Sequence, residues 1–275
     1  MRCSVSVIAC VAFIGFAEAG SLKDAPEPYA PPPTTWEGVY GGLALGGGTG
    51  DWDVVDVFDY NGDPRATNSF SGSGFVAAAH LGYNVQLGAF LYGLEAEAGF
   101  LDLSGKKTAE LPHPPGPQNP MNDISATYST SADLYGALTA RLGYATDRML
   151  FFIKGGAAVV DADFNFLYEG ANCVTTGDCN GQTGPSTFKF GNGDTLFGWT
   201  AGFGLEYALT SSFSLKAQYQ HFDFGDISTS YAGTYSFPCS GYNWAATCAS
   251  NLKTDSDIST TVDTITVGFS YRLNP

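Results

Sequence analysis

Charge is what this chain has little of. Asp, Glu, Lys and Arg make up 14% of its 275 residues, against about 25% in an ordinary globular domain. Only 12 residues are basic and the net charge is −15. That balance excludes a nucleic-acid partner, because gripping phosphates needs a basic surface. Histidine is scarce too, with His80, His113 and His221 alone. A nucleophile needs a base within hydrogen-bond reach, so no enzyme activity is expected. Long hydrophobic runs are missing as well. Beyond the N-terminus nothing approaches 18 consecutive apolar residues, the length that reads as a membrane-spanning helix. This removes one kind of membrane protein only. A membrane β-strand needs about 9–11 alternating residues and leaves no such run.

What is plentiful is glycine, at 35 residues, and aromatic side chains, at 14%. The N-terminus MRCSVSVIACVAFIGFAEAG has Arg2, an apolar run from Val7 to Ala17, and the small-x-small sequence Ala17-Glu18-Ala19. That is the pattern of a secretory signal cleaved after Ala19. SLKDAPEPYAPPPTT follows, with five prolines between Pro26 and Pro33, and reads as an extended, solvated spacer. The expected organisation is a signal peptide at 1–19, a periplasmic spacer at 20–35 and one folded domain at 36–275.

Cys3 and Cys10 would leave with the signal, and four cysteines remain. Four cysteines allow three pairings. The local one, Cys173–Cys179 in CVTTGDC and Cys239–Cys248 in CSGYNWAATC, is expected because each pair lies inside one candidate loop and an exported chain meets an oxidising compartment. The alternative, a zinc site, has neither the histidines nor the spacing, so no metal or cofactor is expected.

The folded region alternates with period two. In YNVQLGAFLYGLEAEAGF, residues 83–100, the apolar positions Phe90, Tyr92, Leu94 and Phe100 share one face and Glu95 and Glu97 the other. Eight such segments lie near 36–48, 74–86, 90–102, 129–145, 149–162, 195–208, 213–224 and 260–273. Short turns near 87–89, 146–148 and 209–212 alternate with long polar loops near 49–73, 103–128, 163–194 and 225–259. A soluble sandwich has no reason to gather its long loops at one end, whereas an outer-membrane barrel does. A closed barrel also leaves no unpaired edge in hydrocarbon. The fold predicted is an all-β, eight-stranded antiparallel up-and-down transmembrane barrel with its apolar face toward lipid. Tyr83, Phe90, Tyr92, Tyr144, Phe151, Tyr207, Phe213 and Tyr271 beside the short turns form the expected aromatic girdle.

The polar face then points inward and carries His80, Glu95, Glu97, Arg141, Lys154, Glu206, Lys216 and Arg272. Buried charges must be paired, so these eight are expected to form a network that plugs the lumen. The alternative is a narrow, cation-preferring pore lined by the same charges. His221, in QYQHFDFGD, is expected at the membrane interface. The first long loop, DWDVVDVFDYNGDPR, holds Asp51, Asp53, Asp56, Asp59 and Asp63. It reads as a solvated acidic loop that could hold divalent cations weakly near lipopolysaccharide, and would favour cations at the mouth if the barrel conducts.

The order of parts resembles a known family. The signal, the Pro-rich spacer, the opening WEGVYGGLALGGG and the stretch GWTAGFGLEYALTSSFSLKAQYQHFDFG are similar to the small opacity-type outer-membrane barrels of alphaproteobacteria. TVGFSYRL at the end resembles the signal read by the barrel insertion machinery, with Thr266, Gly268, Tyr271 and Leu273 at its positions; the family usually ends on Phe where Leu273 stands here. The resemblance covers about 36–273 and implies a surface-exposed antigen or adhesin that supports envelope integrity. Its partners would be outer-membrane lipid, lipopolysaccharide and the insertion machinery. Some members are described as porin-like or haem-binding, so the loops could meet a host surface or haem. A lipid-modifying barrel is a further alternative.

Overall fold

The structure, a computed structural model, describes residues 35–58, 66–110, 125–171, 185–238 and 247–273. The signal segment and the spacer up to residue 34 lie outside the described residues. Those described form eight strands: β1 (Gly38–Phe58), β2 (Ala66–Leu87), β3 (Phe90–Glu110), β4 (Ser125–Thr146), β5 (Met149–Ala171), β6 (Pro185–Ala208), β7 (Phe213–Pro238) and β8 (Thr247–Arg272). Each pairs antiparallel with its neighbour in chain order, and β1 closes on β8 with Leu43 opposite Phe269. The result is the closed up-and-down barrel that the alternation predicts.

Period-two alternation decides which residue faces where. On β3, Leu94 is 61% exposed while its neighbour Glu95 is 0% exposed. The same contrast runs round the barrel, so Leu81, Leu138, Ile153, Phe203 and Val267 stand on the outer face. Only a lipid environment makes that face favourable. On β3 the apolar face runs from Phe90 to Phe100. Ten residue steps of about 3.3 Å, tilted by about 40°, span about 25 Å along the axis, the height of an outer-membrane apolar band. The girdle aromatics are exposed on this face, with Phe90 against Tyr144 at 5.6 Å and Phe213 against Tyr271 at 4.9 Å between ring centroids.

The short turns lie where the sequence places them. Gly88 takes a φ of 64° between β2 and β3, a conformation that costs other residues more. Between β6 and β7, the Thr210 hydroxyl accepts from the backbone N–H of Phe213 at 2.9 Å.

The strands are longer than the periodicity predicts. They run 21 to 26 residues, well into segments expected to be loops, so Asp51, Asp53 and Asp56 lie on β1. The physical reason is a reversal of the pattern above the lipid belt. There the outer face meets water and becomes polar, while the inner face becomes apolar. In DWDV, Asp51 and Asp53 point out, and Trp52 and Val54 point in. In DADFNF, Asp161 and Asp163 point out, and Ala162, Phe164 and Phe166 point in. Most ladders continue into the extensions, with register shifts between Phe100 and Leu103, between Ala132 and Tyr135, and between Asp223 and Asp226; the β2–β3 ladder ends at Ser73 and Ser104, and the β6–β7 ladder at Trp199 and Asp223.

The reversal predicts a sharp labelling boundary on β3. In protein reconstituted in lipid vesicles, Asp102→Cys reacts with a water-soluble thiol reagent above the level of the parent chain, and Leu94→Cys and Phe100→Cys do not. Equal labelling at all three positions would mean that the outer face is not in lipid.

Candidate functional site

Mid-barrel, the inner face gathers charges that the chain otherwise uses sparingly. Glu95 and Glu97 come from β3, Arg141 from β4, Lys154 from β5, Glu206 from β6 and Lys216 from β7, each at most 5% exposed. Register alone sets up a conflict. Arg141 stands directly opposite Lys154 on the neighbouring strand, and like charges in that position repel. Glu95, on β3 beside the Arg141 strand, offsets the repulsion. Its Oε1 accepts from Lys154 Nζ at 2.9 Å, its Oε2 accepts from Lys216 Nζ at 2.8 Å, and Arg141 Nη1 lies 3.8 Å from Oε2.

The remaining acids complete the arrangement. Glu97 Oε2 accepts from Lys154 Nζ at 3.0 Å. Glu206 stands opposite Lys216 in register, yet its Oε1 pairs with Arg141 Nη2 and its Oε2 accepts from the Ser214 hydroxyl at 3.0 Å. Three carboxylates thus meet three bases, and the group has no net charge. Ion pairs of this kind hold only when further hydrogen bonds satisfy the remaining atoms. The Tyr40 hydroxyl donates to Glu95 Oε2 at 2.8 Å and accepts from Arg141 Nη1 at 3.1 Å. The Tyr135 hydroxyl donates to Glu97 Oε1 at 2.7 Å, and Gln218 Nε2 donates to Glu97 Oε2 at 3.2 Å. The Phe152 ring lies 3.7 Å beneath the Arg141 guanidinium carbon, a favourable seat for a desolvated cation.

Glycine makes room for this. A Cβ at Gly82 would meet Tyr40 ring and hydroxyl atoms at 2.5 Å, so the bare backbone there lets Tyr40 reach Glu95. Both aromatic residues of the opening WEGVY point inward. Trp36 is 1% exposed, its backbone N–H donates to Gln86 Oε1 at 2.7 Å, and its backbone carbonyl accepts from Asn84 Nδ2 at 3.2 Å.

All eight inward residues named from the sequence are buried in the lumen, but they do not form one network. His80 bonds through Nε2 to the Ser270 hydroxyl at 2.9 Å. Arg272 donates from Nε and Nη2 to the Ser211 carbonyl at 3.1 and 2.8 Å and covers the Trp36 ring at 4.3 Å. It closes the turn end of the bore and has no ion pair to the six. Tyr40, Tyr135, Gln218 and Ser214 are partners that sequence reasoning missed; their inward parity on strands rich in charge is the signal that could have found them.

The other expected sites stand apart. Asp51 faces outward above the lipid belt, and its carboxyl is raised above the usual range by partial burial first, then by Asp263 and Asp53. Asp59 and Asp63 lie outside the described residues, as do Cys173, Cys179, Cys239 and His113; of Asp56 and Cys248 the backbone alone is described. On β8, Thr266 and Gly268 face the lumen and Tyr271 faces lipid, 42% exposed; Leu273, one residue past the strand, is 52% exposed. His221 sits on the outer face at the top of the belt, where Asp263 Oδ1 accepts from Tyr219 at 2.5 Å and meets His221 Nδ1 at 2.8 Å.

Because Glu95 holds two lysines and borders Arg141, Glu95→Ala leaves buried cations uncompensated. We expect a loss of about 3–5 kcal/mol in denaturant unfolding from detergent or lipid. Arg272→Met, which breaks no ion pair with the six, is expected to lose less. Equal losses would remove Glu95 from its central place.

The match to a known family agrees with this architecture. A family model described as the outer membrane protein beta-barrel domain matches residues 11–272. The 31 kDa outer-membrane immunogenic protein of Brucella melitensis is 27% identical over 229 residues, which cover 80% of this chain and 85% of that protein. The 25 kDa outer-membrane immunogenic protein of Brucella canis is 24% identical over 236 residues, covering 83% and 88%. Among solved structures, the outer membrane protein OprG of Pseudomonas aeruginosa aligns over 86% of this chain and 97% of its own, with 12% identity and a TM-score of 0.43. The chain belongs to the outer membrane protein beta-barrel domain family, close in kind to small alphaproteobacterial surface antigens, and resides in the outer membrane.

Proposed function

We propose that this protein is a closed, non-enzymatic barrel that anchors a surface-exposed set of loops in the outer membrane and supports envelope integrity. The observation that carries this reading is the neutral ion-pair group across the bore. Glu95, Glu97 and Glu206 spend their charge on Arg141, Lys154 and Lys216. A permeating ion would have to displace those partners, and each uncompensated buried charge costs several kcal/mol. An eight-stranded barrel is also narrow enough for side chains to fill it.

With the bore occupied, the work falls to the outer surfaces. The belt meets lipid, and the acidic strand extensions above it meet the lipopolysaccharide layer. Thr266, Gly268, Tyr271 and Leu273 present the C-terminal signal to the insertion machinery. The loops between the long strands would be what antibodies, a host surface or haem encounters. The relatives are named as immunogenic outer-membrane proteins, which supports surface exposure. The cysteines, if paired as Cys173–Cys179 and Cys239–Cys248, would stiffen the short segments that they close.

The test is planar-bilayer conductance of the refolded chain without residues 1–19, with folding verified by a gel-mobility shift between unboiled and boiled samples. Silence is the expected result. Regular, salt-dependent steps with cation preference would replace this reading with that of a small porin. A companion measurement is binding of antibody raised against residues 239–248 to intact cells; its absence, with binding after permeabilisation, would count against a surface role.

A further inference from the structure

The ion-pair group is only one storey of the bore. Above it, toward the loops, β7 turns from Lys216 through Gln218 and Gln220 to Phe222 and Phe224, all buried. The same change from polar to apolar occurs round the barrel. Each of the eight strands sends apolar side chains into one continuous cluster, including Val76 of β2, Leu101 of β3, Val160 of β5, Phe222 of β7 and Val262 of β8, none more than 1% exposed. The cluster spans the bore rather than lining it. Tyr135 of β4 and Phe222 of β7, strands that are not neighbours, meet edge to face with ring centroids 5.4 Å apart. Higher still, Trp52 lies over the glycines of two strands, where a Cβ would meet its ring at 2.7 Å from Gly50 and 2.6 Å from Gly105, and stacks on Phe70 at 5.5 Å.

An ion-pair plug needs none of this. Charged side chains already occupy the middle of the lumen, and strand extensions in water could have enclosed a wet vestibule. We propose that the apolar storey is a second seal, a dry constriction that blocks ions by excluding water and acts independently of the ion pairs. The inference rests on the closed-barrel reading above and adds to it that loosening the ion pairs does not open the barrel. It also makes the ion-pair group accessible to water only from the turn end, past Trp36 and Arg272. Tyr135 joins the storeys, with its ring in the apolar layer and its hydroxyl on Glu97.

The test compares four proteins in planar bilayers, each first shown to fold by heat-modifiable mobility. Glu95→Ala with Lys216→Ala shortens two side chains and widens the middle of the bore, yet leaves Arg141 with Glu206 and Lys154 with Glu97, so the charge stays balanced. Leu101→Asn with Phe222→Asn wets the apolar storey; if that pair does not fold, Leu101→Thr with Val262→Thr wets it with less loss of volume. The parent and both double variants are expected to be silent, and the quadruple variant to show regular steps. Steps from Glu95→Ala/Lys216→Ala alone would overturn the second seal and leave the closed-barrel reading standing. Steps from the parent would overturn the closed-barrel reading itself. A folded quadruple variant that stays silent would also overturn the inference, because the barrier would then lie elsewhere.

Discussion

The interior of this barrel depends on Glu95. The register of an antiparallel ladder places Arg141 beside Lys154, and neither finds its ion pairs on those two strands. Relief comes from β3, where the Glu95 carboxylate takes hydrogen bonds from Lys154, Lys216 and Tyr40 and borders Arg141. Neighbouring charges in register do not simply pair. Glu206 and Lys216 are opposite one another, yet each finds its ion pair on another strand. The shortest ties therefore run between strands that the backbone ladder does not connect, and one of them, Glu95 to Lys216, joins opposite sides of the barrel wall, β3 and β7. In a medium of low dielectric such ties are strong when complete and costly when broken.

Around that core, one rule of alternation serves three environments. Within the lipid belt the large apolar residues point out and the polar ones in. Above the belt the same period continues with the assignment inverted, as Asp51, Trp52, Asp53 and Val54 show. Seven of the eight ladders run past the membrane boundary, because a strand has two faces and each meets its own solvent; the β6–β7 ladder ends there, at Trp199 and Asp223. The consequence is a bore whose lower part is ionic and whose upper part is apolar, built from strands that change the character of both faces at one level.

Much of this is legible in the sequence. Eight period-two segments, three short turns and four long connections suffice for an up-and-down barrel, and inward parity identifies His80, Glu95, Glu97, Arg141, Lys154, Glu206, Lys216 and Arg272 as luminal. The strand ends are less legible. A search for apolar outward faces stops at the top of the belt, so the extensions carrying Trp52, Phe164 and Ile258 read as loops. Tyr40 and Tyr135 are equally hard to find, since an aromatic residue in a membrane barrel is first expected at the lipid interface.

The sequence by itself determined which face of each strand meets lipid, because alternation is local and side chains two residues apart share a face. It also determined that the lumen would hold charge, and how much of each sign. Only the tertiary structure decided who pairs with whom. Strand closure, tilt and register bring Glu95 to Lys216, Arg141 to Glu206 and Tyr135 to Phe222 from distant parts of the chain. Arg272 parts from the others for the same reason, because at the turn end it finds the Ser211 carbonyl and the Trp36 ring.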